Sequence, residues 1–223
     1  MTTPQLFLPK KGNYRDLIAY QKAECVYDIT FYFAHQYLDK SDRTIDQMVQ
    51  AARSGKQNIA EGSAASSTSS ETELKLMNVA KASLHELLVD FEDFLRVRGL
   101  EQWHLNDPRT RAAQEFCSSH NSSSEYMALI STRSEEVTAN IAITLIHQTD
   151  VMLRKLIERL EKDFVEQGGI RERMTAARLG FRQGQKEIEK LKAENDRLKA
   201  RIAWLEAQLA NKPKEPNKTN PTN

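Results

Sequence analysis

The sequence has little of what interrupts a helix. It contains 8 glycines and 6 prolines in 223 residues, and three of the prolines (Pro213, Pro216 and Pro221) lie near its C-terminal end. Because hairpins and tight turns depend on these two residue types, their scarcity argues against a β-rich fold. The two cysteines, Cys25 and Cys117, are too few for a disulfide framework. We expect both to be small buried side chains in a reducing compartment.

Long apolar runs are also missing. A membrane-spanning helix needs about 20 predominantly apolar residues in succession, and no stretch of this sequence approaches that length. The N-terminal segment lacks the charged-then-apolar order of a signal peptide. We therefore expect a cytoplasmic protein that does not enter a membrane.

The motifs of common cofactor and metal sites are absent as well. The chain has no glycine-rich phosphate loop of the Walker or Rossmann type. A carboxylate-bridged metal site in a helical bundle needs two Glu-x-x-His motifs and two further glutamates, and this sequence has one such motif. Three weaker candidates are explained by ordinary surface or loop residues: Glu101 with His104, His147 with Asp150, and Cys117 with His120. We therefore predict no cofactor, no metal and no catalytic residue.

Charge is distributed unevenly along the chain. Residues 1–168 hold 19 Lys and Arg against 24 Asp and Glu, a net charge of −5. Residues 169–223 hold 13 against 7, a net charge of +6. A polyanionic partner is therefore expected to meet the C-terminal part of the chain first.

Apolar residues recur at helical spacing in four long segments between residues 14 and 168. The four stripes are Leu17, Tyr20, Tyr27, Phe31, Ala34 and Leu38; Ile45, Met48, Ala52, Gly55, Ile59 and Gly62; Met77, Ala80, Leu84, Leu87, Phe91 and Phe94; and Ile141, Leu145, Met152, Leu156 and Leu160. Small residues in the second stripe allow a neighbouring helix to approach closely. The pattern predicts an all-α fold, an up-down-up-down four-helix bundle over residues 14–168.

The connections between these segments carry cap and turn residues. Asp107 followed by Pro108 predicts the start of a short helix between the third and fourth segments. The serine-rich run from Ser118 to Ser124 predicts a loop. Two capping boxes are also predicted, Ser70 with Glu73 and Thr132 with Glu135.

The C-terminal segment follows a seven-residue repeat. Its seam residues, spaced alternately by three and four, are Ile188, Leu191, Asn195, Leu198, Ile202, Leu205 and Leu209. This spacing is typical of a parallel two-stranded coiled coil, in which a single seam asparagine fixes the register. The flanking pairs between chains are all attractive: Glu187 with Lys192, Glu194 with Lys199, and Arg201 with Glu206. We predict a self-pairing coiled-coil extension over residues 187–210; antiparallel pairing, a higher order, or a helix folded back on its own bundle are the alternatives.

Residues 169–186 are predicted to form a basic hinge helix between bundle and coil. Its cations are Arg171, Arg173, Arg178, Arg182 and Lys186. A basic helix that enters a zipper resembles the DNA-binding segment of basic-zipper proteins, but the asparagine that reads bases there is missing here. We therefore predict contact with RNA or DNA phosphates without sequence reading, with a solvated linker as the alternative. Residues 211–223 are predicted to be disordered.

Several short motifs resemble a bacterial family known as four-helix-bundle proteins. The family includes proteins encoded in intervening sequences of 23S ribosomal RNA genes and the accessory variability proteins of diversity-generating retroelements. The motifs are Tyr14–Leu17, Gln21–Ala23, Asn58–Gly62 and Ala80–Leu87, with Gly168–Met174 resembling the extension of a suffix variant. The resemblance implies a left-handed bundle that self-associates, and, in the retroelement members, a non-enzymatic partner of a reverse transcriptase and of nucleic acid.

These patterns together predict a non-enzymatic, oligomeric helical scaffold or accessory protein. It would bind nucleic acid non-specifically through the hinge and dock a partner protein, a nucleic-acid enzyme by analogy with the family. The alternative is a pure protein–protein adaptor in which the hinge is only a spacer.

Overall fold

The computed structural model describes residues 13–210, and within that range the chain is all-helical, with no strand. A single 3-10 turn at Tyr14–Asp16 precedes seven helices. They are α1 (Ile18–Tyr37), α2 (Thr44–Ala65), α3 (Ser70–Val97), α4 (Pro108–Ser119), α5 (Ser123–Ile130), α6 (Glu135–Gln167) and α7 (Ile170–Ala210). The predicted all-α class is confirmed, and the predicted disordered segment 211–223 lies outside the described residues.

The chain divides into two compact units after Arg173. The first unit, which we call the body, comprises residues 13–173 of the described chain, and the second comprises residues 174–210 of α7. In the body, α1 and α3 each pack against both α2 and α6. The two short helices lie on this arrangement, α4 against α6 and α5 against α1. The four long segments predicted from periodicity are therefore the four helices that enclose the core.

The core is built from the apolar faces of these helices. The Phe33 ring lies 4.9 Å from that of Phe91 and 4.7 Å from that of Phe94, in edge-to-face contacts that join α1 to α3. Where α2 crosses α3, a Cβ added at Gly55 would stand 2.7 Å from Cδ2 of Leu84. The predicted close approach along α2 is thus confirmed, because only glycine fits at that contact.

The buried face of α1 differs from the predicted stripe. Phe31 is 48% exposed, and its ring lies 4.2 Å from that of His35 on the outer face. The residues that enter the core are Ala19, Tyr20, Ala23, Val26, Ile29, Phe33 and Ala34. The predicted stripe followed the largest apolar side chains, whereas the helix is packed closely along its alanines.

Two of the predicted helix caps are wrong by one or two residues. Ser69, and not Ser70, precedes α3, and its hydroxyl accepts a hydrogen bond from the Thr72 backbone N–H at 3.1 Å. Ser134, and not Thr132, plays the same part for α6. Neighbouring serines and threonines have the same capping chemistry, so composition alone does not choose between them. The Asp107–Pro108 start of α4 is confirmed, since the Asp107 carboxylate accepts from Arg109 N–H.

The serine-rich run contains more helix than predicted. Ser118 and Ser119 complete α4, and α5 begins at Ser123. The Glu125 carboxylate accepts from the backbone N–H of Ser122 at 3.1 Å, which satisfies a group at the start of α5. Serine has only a modest helix propensity, so the apolar Tyr126 and Ile130, both fully buried, are what hold this short helix in place.

Candidate assembly and nucleic-acid interface

Both predicted C-terminal segments, the basic hinge and the coil, lie on one helix. α7 is 41 residues long, and from Met174 to Ala210 every residue is exposed. The second unit consists of this one helix, so it holds no other element that could cover the apolar side chains. Exposed apolar side chains in register along a helix form the kind of surface that a partner helix covers.

The predicted seam is exposed on this helix at every position. The apolar seam side chains are between 44% and 67% exposed: Ile188, Leu191, Leu198, Ile202, Leu205 and Leu209. Asn195, the polar member, is exposed as well. Spacings of three and four place all seven on one face of a continuous helix. All seven residues therefore share one exposed face of α7.

The charged residues beside the seam are also accessible. On the predicted register, Glu187, Glu194 and Arg201 border one side, and Lys192, Lys199 and Glu206 border the other. The guanidinium of Arg201 lies 4.2 Å from the ring centroid of Trp204, which holds the side chain against its own helix. Opposite charges on the two borders are the arrangement that favours a parallel pairing of identical helices.

The cations of the predicted hinge do not form a single group. Arg171, Arg178, Arg182 and Lys186 are spaced by seven and four residues, so they fall on one flank of α7. Arg173 points elsewhere: one of its terminal nitrogens donates to the Ser70 hydroxyl at 3.4 Å, and its Nε is buried without a hydrogen-bond partner in the described part of the chain. Arg173 therefore belongs to the body, where it contacts the start of α3.

The predicted metal candidates are occupied by ion pairs. The Glu101 carboxylate lies 2.9 Å from Arg109, and the Asp150 carboxylate lies 3.0 Å from Nε of Arg154. Among residues 13–210 there is no cluster of three or more His, Cys, Asp or Glu side chains that could hold a metal ion. Each acid is therefore engaged by an arginine in the geometry observed.

The predicted thiol candidate lies inside the protein. Cys117 is fully buried, and burial raises the pKa of its thiol to about 11. The ring of His120 stacks on that of Phe116 at 4.0 Å, with Nδ1 2.9 Å from the Phe116 carbonyl oxygen. A thiol with so high a pKa stays protonated at neutral pH and is a poor nucleophile. Cys25 is buried in the same way, and burial raises its pKa to about 12.

Sequence reasoning missed a buried lysine beside these cysteines. Lys22 has no exposed surface, and its ammonium donates to the carbonyl oxygens of Cys117 and His120. These carbonyls are at the C-terminal end of α4, where helix backbone acceptors lack partners and the helix dipole favours a positive charge. Lys22 thus fixes α4 to α1. The signal was its position between Ala19 and Val26 in the stripe that faces the core.

A groove lies between α4 and α6 in the body. It encloses about 1310 Å³ and is bordered by Trp103, His104, Arg111, His147 and Arg154, among others. Trp103 and Gln148 belong to its lining, and the indole N–H of Trp103 and the amide oxygen of Gln148 are buried without a hydrogen-bond partner within residues 13–210. The groove therefore combines cationic and imidazole side chains with two residues that each hold a buried, unpaired polar atom.

Comparisons with known proteins give no identity for the chain. No family model matches it, and neither a curated protein nor a solved structure is significantly similar to it. Along residues 13–210, no helix has the length and the apolar content needed to cross a membrane.

Proposed function

We propose that this protein is a non-enzymatic helical scaffold that assembles through α7. The observation that carries the proposal is the apolar seam of α7, whose side chains are exposed at every seam position from Ile188 to Leu209. The body is then an up-down-up-down four-helix bundle made of α1, α2, α3 and α6, in keeping with the resemblance to the bacterial four-helix-bundle family. We place the protein in the cytoplasm.

The seam supports pairing of two parallel copies. Each half-exposed leucine or isoleucine gains about 1 kcal/mol when its remaining surface is covered, and identical seams cover each other without gaps. Asn195 opposite Asn195 of the second copy forms a buried amide pair, which is costly in any other register. The border charges are complementary in the same register, so apolar packing and electrostatics favour one arrangement.

A pair of charge-bearing variants tests this assembly. Leu191→Glu combined with Leu198→Glu places four carboxylates in the dimer seam, and we expect the mass measured by sedimentation equilibrium to fall to that of the monomer. Ala193→Glu combined with Ala200→Glu adds the same charge on the outer face of α7 and should leave the dimer intact. An unchanged mass for the seam variant would overturn assembly through α7.

The basic flank of α7 supports contact with nucleic acid. Arg178, Arg182 and Lys186 are exposed on one side of the helix, whereas the body is net acidic. Clustered cations on a helix neutralise phosphates without reading bases. We propose that this flank holds the phosphate backbone of RNA or DNA, and that the bundle docks a partner protein, a nucleic-acid enzyme by family analogy.

The experiment is binding to fluorescent RNA and DNA, single- and double-stranded, across a salt series. We expect affinity to fall steeply with salt, and replacement of Arg178, Arg182 and Lys186 by glutamine to reduce the slope by about 3 per subunit. Replacing Lys40, Arg43 and Arg53 by glutamine removes the same charge from the body and should leave the slope unchanged. Absence of binding at low salt would overturn the nucleic-acid part of the proposal.

The groove between α4 and α6 favours a second function, that of a protein–protein adaptor. Leu105 and Val151 on its border are 78% and 40% exposed, beside the unpaired polar atoms of Trp103 and Gln148. A partner segment that covers the apolar border removes this exposed apolar surface from water. If nucleic acid does not bind, this groove is the docking site that the adaptor hypothesis requires.

A further inference from the structure

The heptad register of α7 continues upstream of the predicted coil. Counting back from Ile188 by sevens places Phe181 and Met174 at the same seam position, called a. The alternate seam position, d, is then taken by Gly184 and Ala177. The register therefore runs without a break through residues 174–186, the segment predicted to be a hinge.

Exposure of the upstream apolar residues agrees with this register. Phe181 is 69% exposed and Met174 is 44% exposed, although both are large apolar side chains. A solvated linker does not explain why a phenylalanine stands at a position where the repeat demands an apolar side chain. A second helix in the same register would cover both residues.

The glycines of this segment have no explanation inside the chain. A Cβ added at Gly180 or Gly184 would meet no atom within 4 Å. Each glycine costs the helix about 1 kcal/mol relative to alanine. Gly184 lies in the seam, where a close neighbour from a second copy would account for that cost, whereas Gly180 lies at the border of the seam. Phe181 is larger than the usual a residue, and Gly184 and Ala177 on either side of it leave room for the ring of a second copy.

The charged residues allow the helices to meet here. In this register Arg182 and Lys186 occupy positions b and f on the outer flank, and Arg178 occupies position e at the border of the seam, so pairing buries none of the three. The Gly180 and Gln185 borders are neutral. The first border pair, Arg173 with Arg178 of the second copy, is like-charged, but Arg173 donates to Ser70 and lies outside the second unit.

We propose that a second copy of α7 covers Met174, Ala177, Phe181 and Gly184, so that the coiled coil begins at Met174 and not at residue 187. The inference rests on the proposed assembly and extends it by two heptads, to about five heptads or roughly 54 Å. The basic flank then becomes the outside of a rigid rod. Each dimer presents two such flanks, related by its two-fold axis, at which a polyanion is neutralised.

Cysteine cross-linking of the full chain tests the proposal. Met174→Cys, Phe181→Cys and Leu198→Cys each place a thiol in the seam, where facing Cα atoms are close enough for a disulfide. Leu179→Cys is the matched control, because Leu179 is 52% exposed but lies at the outward f position. In a glutathione buffer at equal protein concentration, we expect the three seam variants to form about tenfold more covalent dimer than the control, owing to the high effective concentration across the seam.

The outcomes distinguish the upstream extension of the coiled coil from assembly through α7 itself. Cross-linking at residue 198 but not at 174 or 181 would overturn the upstream extension and leave the assembly standing. Failure at all three seam positions would overturn both. Equal cross-linking by Leu179→Cys would show collision and not register, and would overturn the extension as well. The unmodified chain gives the background, since Cys25 and Cys117 are buried.

Discussion

The body and the second unit share the same sequence pattern but differ in whether their apolar side chains are covered. In both, apolar residues recur every three or four positions. In the body those residues are covered, and Phe91 has no exposed surface, whereas along residues 174–210 they stay open, and Phe181 is 69% exposed. The difference does not lie in the pattern but in whether the chain supplies other helices to cover it.

This contrast determines what a mutation can reveal in each region. In the body, a lost apolar contact lowers the free energy of unfolding of the single chain at any protein concentration. Along α7, the same loss weakens association, whose free energy depends on protein concentration. Phenylalanine and glycine each occur in both settings, so matched substitutions test the comparison directly.

The largest expected effect is a matched pair of phenylalanine truncations. Phe91→Ala should lower the unfolding free energy of the body by about 4 kcal/mol, because it leaves a cavity beside Phe33. Phe181→Ala should leave that free energy unchanged and raise the dimer dissociation constant by about tenfold. Urea unfolding followed by Trp103 fluorescence, in a Trp204→Phe background, reports on the body alone.

Sedimentation of the same variants over a range of concentrations supplies the second half of the test. If Phe181→Ala destabilised the body as Phe91→Ala does, the exposed ring would have to be covered by its own chain. That result would remove the distinction between the two units on which the assembly argument depends.

The next largest effect is expected at the buried lysine. Lys22→Met fills a similar volume but removes the donor for the Cys117 and His120 carbonyl oxygens, and should cost about 3 kcal/mol of unfolding free energy. Lys75→Met, at an exposed lysine paired with Glu71, should cost less than about 0.5 kcal/mol. Equal losses would mean that the end of α4 does not need Lys22.

The difference in stability between the wild type and Lys22→Met should depend on pH through Lys22 alone. Burial lowers the pKa of Lys22 below its ordinary value of 10.5. Between the folded pKa and 10.5 the unfolded chain binds more protons, so the stability of the wild type rises with pH across that window relative to Lys22→Met. A difference between the two proteins that stays constant up to pH 10.5 would contradict the lowered pKa.

The repetitive parts of this structure can be predicted well from the sequence. The α3 stripe from Met77 to Phe94 is buried at every predicted position, and the α7 seam is a continuous helical face. Both follow from helical period, which is a local property of the chain. The predicted face of α1 was partly wrong, because the helix buries the small side chains of Ala19 and Ala23 and leaves the large ring of Phe31 exposed.

What the sequence does not carry is long-range. Lys22 meets carbonyl groups that lie almost a hundred positions away, and the contact of Arg173 with Ser70 joins the start of α7 to the start of α3. Neither contact has a spacing that a repeat reveals. The contact with Ser70 separates Arg173 from the other four predicted cations, so the basic flank of α7 has fewer members than the sequence predicts.

The smallest expected effect is also the sharpest form of the comparison, since the same substitution should act with opposite signs. Gly55→Ala places a Cβ 2.7 Å from the buried Leu84 side chain and should lower the stability of the body by about 1 kcal/mol, after the gain in helix propensity is included. Gly180→Ala meets open space and should stabilise α7 by about 1 kcal/mol. Thermal unfolding followed by circular dichroism, at one protein concentration, measures both. Loss of stability in Gly180→Ala would contradict this expectation. It would mean that the helix of a second copy approaches Gly180 closely at the border of the seam.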